Sequence, residues 1–345
     1  MATKSEPLGQ VTRTDGGVVL DVRDLSVRYT RSSGNAPSIL DQVSMTIKRG
    51  EIIGLAGESG SGKSTLVESI LRLLEPPRYV SAGEVLFMQR GESKSVDLLQ
   101  LPERTLRGLR WRSLAYIPQG SMNSLNPVLR IESQIVDAMI DHGRSQREAS
   151  ERVPVLLNLV GLEPRAARLY PHQLSGGMKQ RAVIASAISM DPDIVIADEI
   201  TTGLDVNVQR VILQTLMDIR RKLGVAVLFV SHDMAVHAQI DDRLALLYAG
   251  RVAEVGDVRE VFKEPLHPYT RGLIGSIPAI GDEDKRLTGI PGVAPSPTNW
   301  PEGCRFHPRC PRAMAVCSTE VPRLSTVKGE HATACHLYTE PPGGE

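Results

Sequence analysis

The stretch Gly57-Glu58-Ser59-Gly60-Ser61-Gly62-Lys63-Ser64-Thr65 fits G-x-x-x-x-G-K-[S/T], the spacing of a loop that wraps its backbone around phosphates. The glycines let successive N–H groups turn inward, and the helix that follows adds partial positive charge at its N-terminus. Lys63 is placed to reach the β/γ-phosphates and the Ser64 hydroxyl to sit on Mg²⁺. The bland alternative is a Gly/Ser-rich turn with no ligand. Against it stands the context: the apolar run Ile52 to Ala56 reads as a buried strand and Leu66 to Leu71 as the start of a helix.

Further downstream, Ile194 to Ala197 reads as a buried strand ending on the paired carboxylates Asp198 and Glu199. In a phosphate-loop enzyme the first acid of such a pair holds Mg²⁺ through water, and the second is placed to polarise an attacking water. The strand Leu114 to Pro118 ends on the polar amide of Gln119. Leu174-Ser175-Gly176-Gly177-Met178-Lys179-Gln180 opens a helix and makes a second anion site, one that a single nucleotide does not need and a neighbour's nucleotide could use. Thr201 to Asp205 turns into a further helix, and His232 stands at the end of the buried strand Val225 to Val230, where ligands collect in open α/β sheets. Tyr29 ends an early strand; it could stack on adenine or be an ordinary strand aromatic.

The elements that must position these residues are legible in the apolar pattern. Val18 to Val22, Leu25 to Tyr29 and Ile39 to Ile47 alternate as antiparallel strands, with a Gly/Asn/Pro break at Gly34 to Pro37, and strand character resumes at Gly83 to Phe87. A helix is expected from Pro102 to Leu109. Residues 130 to 170 carry helical spacing and no good strand, as in a helical insertion, and Leu244 to Gly256 reads as a closing hairpin. Residues 1 to 16 are polar and look like a disordered lead-in.

The totals bound the class. The 345 residues suffice for two domains or for one large domain with an appendage, and 40 basic residues balance 40 acidic ones, so no global field argues for nucleic acid or an anionic membrane. The longest apolar runs fall far short of the roughly 20 residues that span a bilayer. With no signal peptide in view, a cytosolic chain whose membrane role comes through a partner is expected. All four cysteines, Cys304, Cys310, Cys317 and Cys335, lie in the last stretch, spaced C-x5-C-x6-C-x17-C within a proline-rich tail expected to be mostly irregular. In a reducing compartment that clustering argues for a metal site over disulfides, although it lacks the short C-x2-C knuckle of most zinc sites. Unmetallated thiols are the remaining reading.

Taken together, these motifs in this order resemble the ATP-binding subunits of ABC transporters over about residues 18 to 264. The resemblance implies an α/β phosphate-loop NTPase core of ABC type with an antiparallel β subdomain, a helical subdomain at about 120–175, and a Cys-containing extension over 265–345, after a flexible N-terminus over 1–17. It implies that Tyr29 stacks on adenine, that Gly57 to Thr65 holds ATP, and that Ser64, Gln119 and Asp198 attend Mg²⁺. Glu199 would be the general base, with Lys63, Gln119 and His232 assisting. Ser175, Gly176 and Gly177 would contact ATP on a second ATPase subunit, expected to be a different chain, and Asp205 would belong to the turn that speaks across that dimer. Family members commonly carry Pro after the catalytic Glu; Ile200 stands here, which would leave the turn looser.

The tail, with His267-Pro268-Tyr269-Thr270 and Pro291-Gly292-Val293-Ala294-Pro295, resembles that of the oligopeptide/dipeptide and nickel import ATPases. That resemblance implies peptide-class uptake at the cytoplasmic face of the membrane, with two transmembrane permeases and an extracytoplasmic solute-binding protein as partners and no nucleic acid. It also implies a [4Fe–4S] cluster on the four cysteines, with zinc or no metal as alternatives. Nickel, an oligosaccharide or another solute is the alternative cargo; a soluble ABC ATPase acting on nucleic acid or ribosomes is the rival from another class.

Overall fold

The computed structural model describes residues 17–30, 37–277 and 289–338. The expected disordered lead-in and most of the Gly34 to Pro37 break lie outside the described residues. In chain order, β1 (Val18–Tyr29), β2 (Ser38–Lys48) and β3 (Ile52–Ala56) lead into α1 (Lys63–Ile70). Then follow β4 (Arg78–Phe87), β5 (Val96–Asp97), α2 (Glu103–Leu109), β6 (Leu114–Ile117), α3 (Ile131–Asp141), α4 (Gln146–Leu159) and α5 (Gly176–Ala187). After β7 (Ile194–Asp198) come α6 (Val206–Leu223), β8 (Ala226–Val230), α7 (Met234–Ile240), β9 (Arg243–Tyr248), β10 (Arg251–Asp257), α8 (Val258–Lys263), α9 (Pro268–Gly275), β11 (Ser325–Lys328) and β12 (His331–Thr333).

The chain forms two compact units. One draws on Leu20–Thr46, Ile52–Leu106 and Leu228–Glu345. It holds an antiparallel sheet in the order β2-β1-β4-β5, as the alternating pattern predicts. The two segments read from the sequence before Tyr29 are one strand, β1, with register shifts between Arg23 and Val27 against β4. The unit's other strands run in the order β11-β12-β10-β9-β3, with β3 parallel to β9 and β9 antiparallel to β10. All five residues of β3 are buried, which is why Ile52 to Ala56 shows no alternation: both faces of the strand are covered.

The other unit draws on Ile47–Glu51 and Arg107–Val227. Here β6 and β7 pair in parallel, and the region expected to be a helical insertion folds as α3 and α4. Ile131, Ile135, Val136 and Met139 are the buried face of α3, and Ala149, Val153, Leu156 and Leu157 that of α4, each at helical spacing. A capping box, Ser145 with Glu148, starts α4. Asp205 caps α6 at one end; at the other the chain leaves through the left-handed Gly224, with Arg220, Arg221 and Lys222 in the last turn complementing the helix dipole.

The tail departs from its expected irregularity. Residues Glu254 and Val255 of β10 pair with Thr333 and Ala332 of β12, so the end of the described chain is laddered onto the sheet. It also packs onto β9 through aromatic rings: Phe306 and Tyr269, both buried, meet Tyr248 at ring-centroid separations of 5.2 Å and 4.6 Å. Proline density masked this, because the order comes from three aromatics far apart in sequence and from the short strands β11 and β12. Periodicity signals neither.

Candidate active site

The phosphate loop follows β3 directly. Gly57 has φ +150°, and a Cβ there would stand 2.2 Å from the Leu247 carbonyl oxygen, so only glycine lets the loop leave the strand this close to β9. The loop is closed by Ser61 N–H donating to Glu58 O (3.1 Å) and pinned from the β9–β10 turn by Gly250 N–H donating to Ser61 O (2.8 Å). Lys63 is buried, its ammonium donating to the Gly57 and Glu58 carbonyls at 2.7 Å and 3.1 Å. These bonds hold a positive charge at the loop, where an anion could claim it. Ser59, Gly60 and Ser64 are exposed and Gly62 and Thr65 half-buried. The Ser61 hydroxyl is buried with no hydrogen-bond partner among the described residues. In the same unit His232 is exposed just after β8, between Ser231, whose N–H donates to Leu55 O (3.3 Å), and Asp233, whose carboxylate caps α7. Tyr29 is half-buried at the end of β1.

The carboxylates and the amide belong to the other unit. In the parallel ladder Ile117 stands opposite Ala197, which brings Gln119 level with Glu199 two residues beyond each. Gln119 Nε2 donates to Glu199 Oε2 at 2.9 Å. The two acids at the end of β7 have different surroundings: Asp198 is buried and accepts from the Tyr116 hydroxyl at 3.5 Å, whereas Glu199 is half-buried. Tyr116 is a contact the sequence reading missed; its position in β6, three residues before Gln119, was the available signal. Glu199 has φ +46°, in the left-handed region, a conformation that costs a non-glycine residue about 1–3 kcal/mol and turns its side chain out of the strand direction. The turn that Ile200 was expected to loosen is closed by Thr202 N–H donating to Glu199 O (3.1 Å), and the Ile200 side chain is buried.

The Ser-Gly-Gly opening is the N-terminus of α5. Ser175 is its N-cap, the hydroxyl accepting from Met178 N–H (3.3 Å), and Ser175 and Gly176 are exposed. Gly177 is buried because α6 passes so near: a Cβ would meet Val208 Cγ1 at 2.5 Å. Gln180 in α5 exchanges a hydrogen bond with Ser121 (3.4 Å), tying this helix to the loop after Gln119. Asp205 accepts from the N–H groups of Asn207 and Val208 at 3.1 Å and 3.0 Å, so its carboxylate is engaged as a cap.

Residues 40–202 match the ABC transporter family and residues 253–317 match the oligopeptide/dipeptide transporter C-terminal region. The chain is 40% identical to the dipeptide transport ATP-binding protein DppD of Caldanaerobacter subterraneus subsp. tengcongensis over 94% of its own length and 98% of the relative's. It is 41% identical to DppD of Bacillus subtilis over 93% and 95%. The chain belongs to the oligopeptide/dipeptide branch of the ABC ATPases. The fold agrees: the dimeric structure of a bacterial ABC transporter cassette superposes with a TM-score of 0.58 at 29% identity, covering 70% of this chain and 99% of that one. A cassette of the cbiONQ transporter complex from Clostridium perfringens gives 0.59 at 27% identity, covering 72% and 91%.

Beyond the cassette, this ABC ATPase carries its four thiols in one neighbourhood. Burial pushes the Cys304 thiol up to about 11, and the charges of Cys317, Cys335 and Cys310 would push it further the same way. Burial also raises Cys310 and Cys335. The Arg312 N–H points at Cys310 Sγ (3.4 Å) and the Met314 N–H at Cys317 Sγ (3.5 Å). Yet among the described residues no group of three or more His, Cys, Asp or Glu side chains is arranged to hold a metal ion. A tetrahedral zinc site needs its sulfurs about 2.3 Å from one point, and the zinc alternative gains no support from this arrangement. The same geometry gives no support to the expected metal role of Cys304, Cys310, Cys317 and Cys335. No helix among the described residues is long and apolar enough to cross a membrane.

Proposed function

We propose that this chain is the ATP-hydrolysing subunit of an importer that takes di- or oligopeptides across the cytoplasmic membrane. The observation that carries the reading is the match to the oligopeptide/dipeptide transporter C-terminal region on the same chain as a complete cassette, with relatives named for dipeptide transport. The chain would sit peripherally on the cytoplasmic face, with two permeases, a solute-binding protein and a second, similar ATPase chain. Deletion of the gene should abolish uptake of a labelled dipeptide, and re-expression of the wild-type chain should restore it. Unchanged dipeptide uptake with lost uptake of nickel or a sugar would move the cargo assignment elsewhere.

In the proposed mechanism the phosphate loop and Lys63 would hold the ATP phosphates, and Ser64, Gln119 and Asp198 would be the residues that attend Mg²⁺, which would offset phosphate charge. Glu199 accepts a proton from the attacking water, with Gln119 beside it to orient both. His232 and Lys63 offset the charge that develops on the transferred group. Ser175, Gly176 and Gly177 serve the nucleotide of the partner ATPase, and Asp205 shapes the turn facing that partner. Tyr29 stacks on the base. Each of the residues named for Mg²⁺ suits it by its chemistry: a hydroxyl, an amide oxygen and a carboxylate are all hard oxygen donors.

For the cysteines the finer reading is a [4Fe–4S] cluster, which Cys304, Cys310, Cys317 and Cys335 would hold as thiolates. Supporting it are the mutual influence of the thiols and the N–H groups aimed at Cys310 and Cys317. Anaerobically purified protein should be brown and contain about four irons per chain. Colourless, iron-free protein would retire the cluster and leave thiols alone.

A further inference from the structure

Glu58 is the second residue of the phosphate loop, and it is gripped from outside the loop on both its backbone and its side chain. Its N–H donates to the Tyr269 hydroxyl at 2.8 Å. Its carboxylate receives a forked ion pair from Arg309, Nη1 to Oε2 at 2.7 Å and Nη2 to Oε1 at 3.0 Å. Both partners lie in the tail beyond residue 264, and neither is loosely placed. Tyr269 is fully buried. Arg309 is 8% exposed, its Nε donates to Pro291 O at 2.8 Å, and its Nη1 also reaches the Tyr248 hydroxyl at 3.3 Å. A guanidinium fixed in this way presents its fork with little left to lose in rotamer entropy.

The charge arithmetic gives the arrangement a purpose. A loop that must accept a polyphosphate carries, at Glu58, a negative charge of its own. Two like charges several ångströms apart near a protein surface repel by on the order of 1 kcal/mol or more, enough to weaken nucleotide binding several-fold. The fork from Arg309 cancels that charge, while Tyr269 holds the Glu58 N–H and so fixes where the loop begins to turn. We propose that Arg309 and Tyr269 are positioning residues through which the C-terminal extension sets the affinity of the phosphate loop for ATP. This rests on the assignment of the loop as the ATP site.

The test measures ATP binding and hydrolysis by the full-length chain. Wild-type protein that binds no ATP would overturn the site assignment itself. Given wild-type binding, Arg309→Ala should raise Kd and KM for ATP about tenfold while kcat changes little, and Arg309→Lys, which keeps the charge without the fork, should fall between. Adding Glu58→Gln to Arg309→Ala removes the orphaned charge and should recover most of the lost affinity. Tyr269→Phe should raise KM by a smaller factor. Unchanged Kd in Arg309→Ala, or a rise that Glu58→Gln leaves fully in place, would sink the inference. Should Arg309→Ala fail to fold, Arg309→Lys with and without Glu58→Gln makes the same comparison.

Discussion

Gln119 Nε2 donates to Glu199 Oε2 across 2.9 Å because β6 and β7 run in parallel with Ile117 opposite Ala197, so the amide and the acid leave their strands side by side. A side-chain amide donating to a carboxylate holds the acid in one orientation. If Glu199 is the base, Glu199→Gln should retain ATP binding and lose hydrolysis by about 10²–10⁴-fold. Gln119→Ala should cost less, since it removes the orienting contact and leaves the acid. Equilibrium ATP binding and phosphate release on the same preparations check this, and wild-type hydrolysis by Glu199→Gln would refute the assignment.

Gly177 has a structural reason and an inferred functional one, and a substitution can separate them. An added Cβ would stand 2.5 Å from Val208 Cγ1, forcing α5 away from α6. Overpacking of that kind costs about 1–3 kcal/mol. Gly176 has no such neighbour, the closest heavy atom lying 3.8 Å from an added Cβ. Gly177→Ala should therefore lower the melting temperature measurably and Gly176→Ala should leave it nearly unchanged. A fall in hydrolysis by Gly176→Ala would then report on the exposed helix opening itself. Equal destabilisation by both variants would contradict the packing described.

The contrast between those two glycines shows what could be read from the chain beforehand. Contiguous motifs were legible because their chemistry is local: the loop from Gly57 to Lys63, the strand-end acids and the Ser-Gly-Gly cap each announce themselves within ten residues. The strand and helix pattern around them followed from burial on one face or two. What could not be read were contacts between distant segments, such as Arg309 with Glu58, Tyr116 with Asp198, or β12 with β10. Nothing in the spacing of Arg309, in a tail dense with proline, says which carboxylate it will meet.

A buried histidine in that tail gives the protein a predictable acid sensitivity. His267, at the N-terminus of α9, accepts from Tyr269 N–H at 3.0 Å, and burial lowers its imidazole to about 4, outweighing the nearby Glu254, which acts the other way. The unfolded chain would take up this proton near pH 6.5, well before the folded one does. The stability this group contributes is therefore complete above about pH 6.5 and is lost as the pH falls through about 4, a total of about 3 kcal/mol. Urea midpoints measured from pH 7 to pH 4 should decline across that window, and His267→Gln should flatten the decline. An unaltered slope in His267→Gln would assign the acid sensitivity to other groups.

The same neighbourhood holds the residue on which attachment of the tail should depend most. Glu254 of β10 is fully buried and accepts from Leu266 N–H (2.9 Å), His267 N–H (2.7 Å) and His331 Nε2 (2.7 Å). Those donors come from the segment leading into α9 and from β12, so one carboxylate ties the cassette's last long strand to both ends of the extension. Glu254→Ala would leave the half-buried Leu266 amide, the buried His267 amide and the His331 imidazole with no acceptor, a loss of roughly 3–5 kcal/mol by analogy with breaking a buried charged pair. Glu254→Gln keeps the shape and one good acceptor, and should cost less. Because the Arg309–Glu58 fork depends on the tail's position, Glu254→Ala should also raise the KM for ATP, even though Glu254 belongs to no part of the proposed nucleotide site. Limited proteolysis should cut the Glu254→Ala protein within the extension before the cassette is touched. Wild-type resistance to the protease together with an unchanged KM would show that the tail is held without this carboxylate.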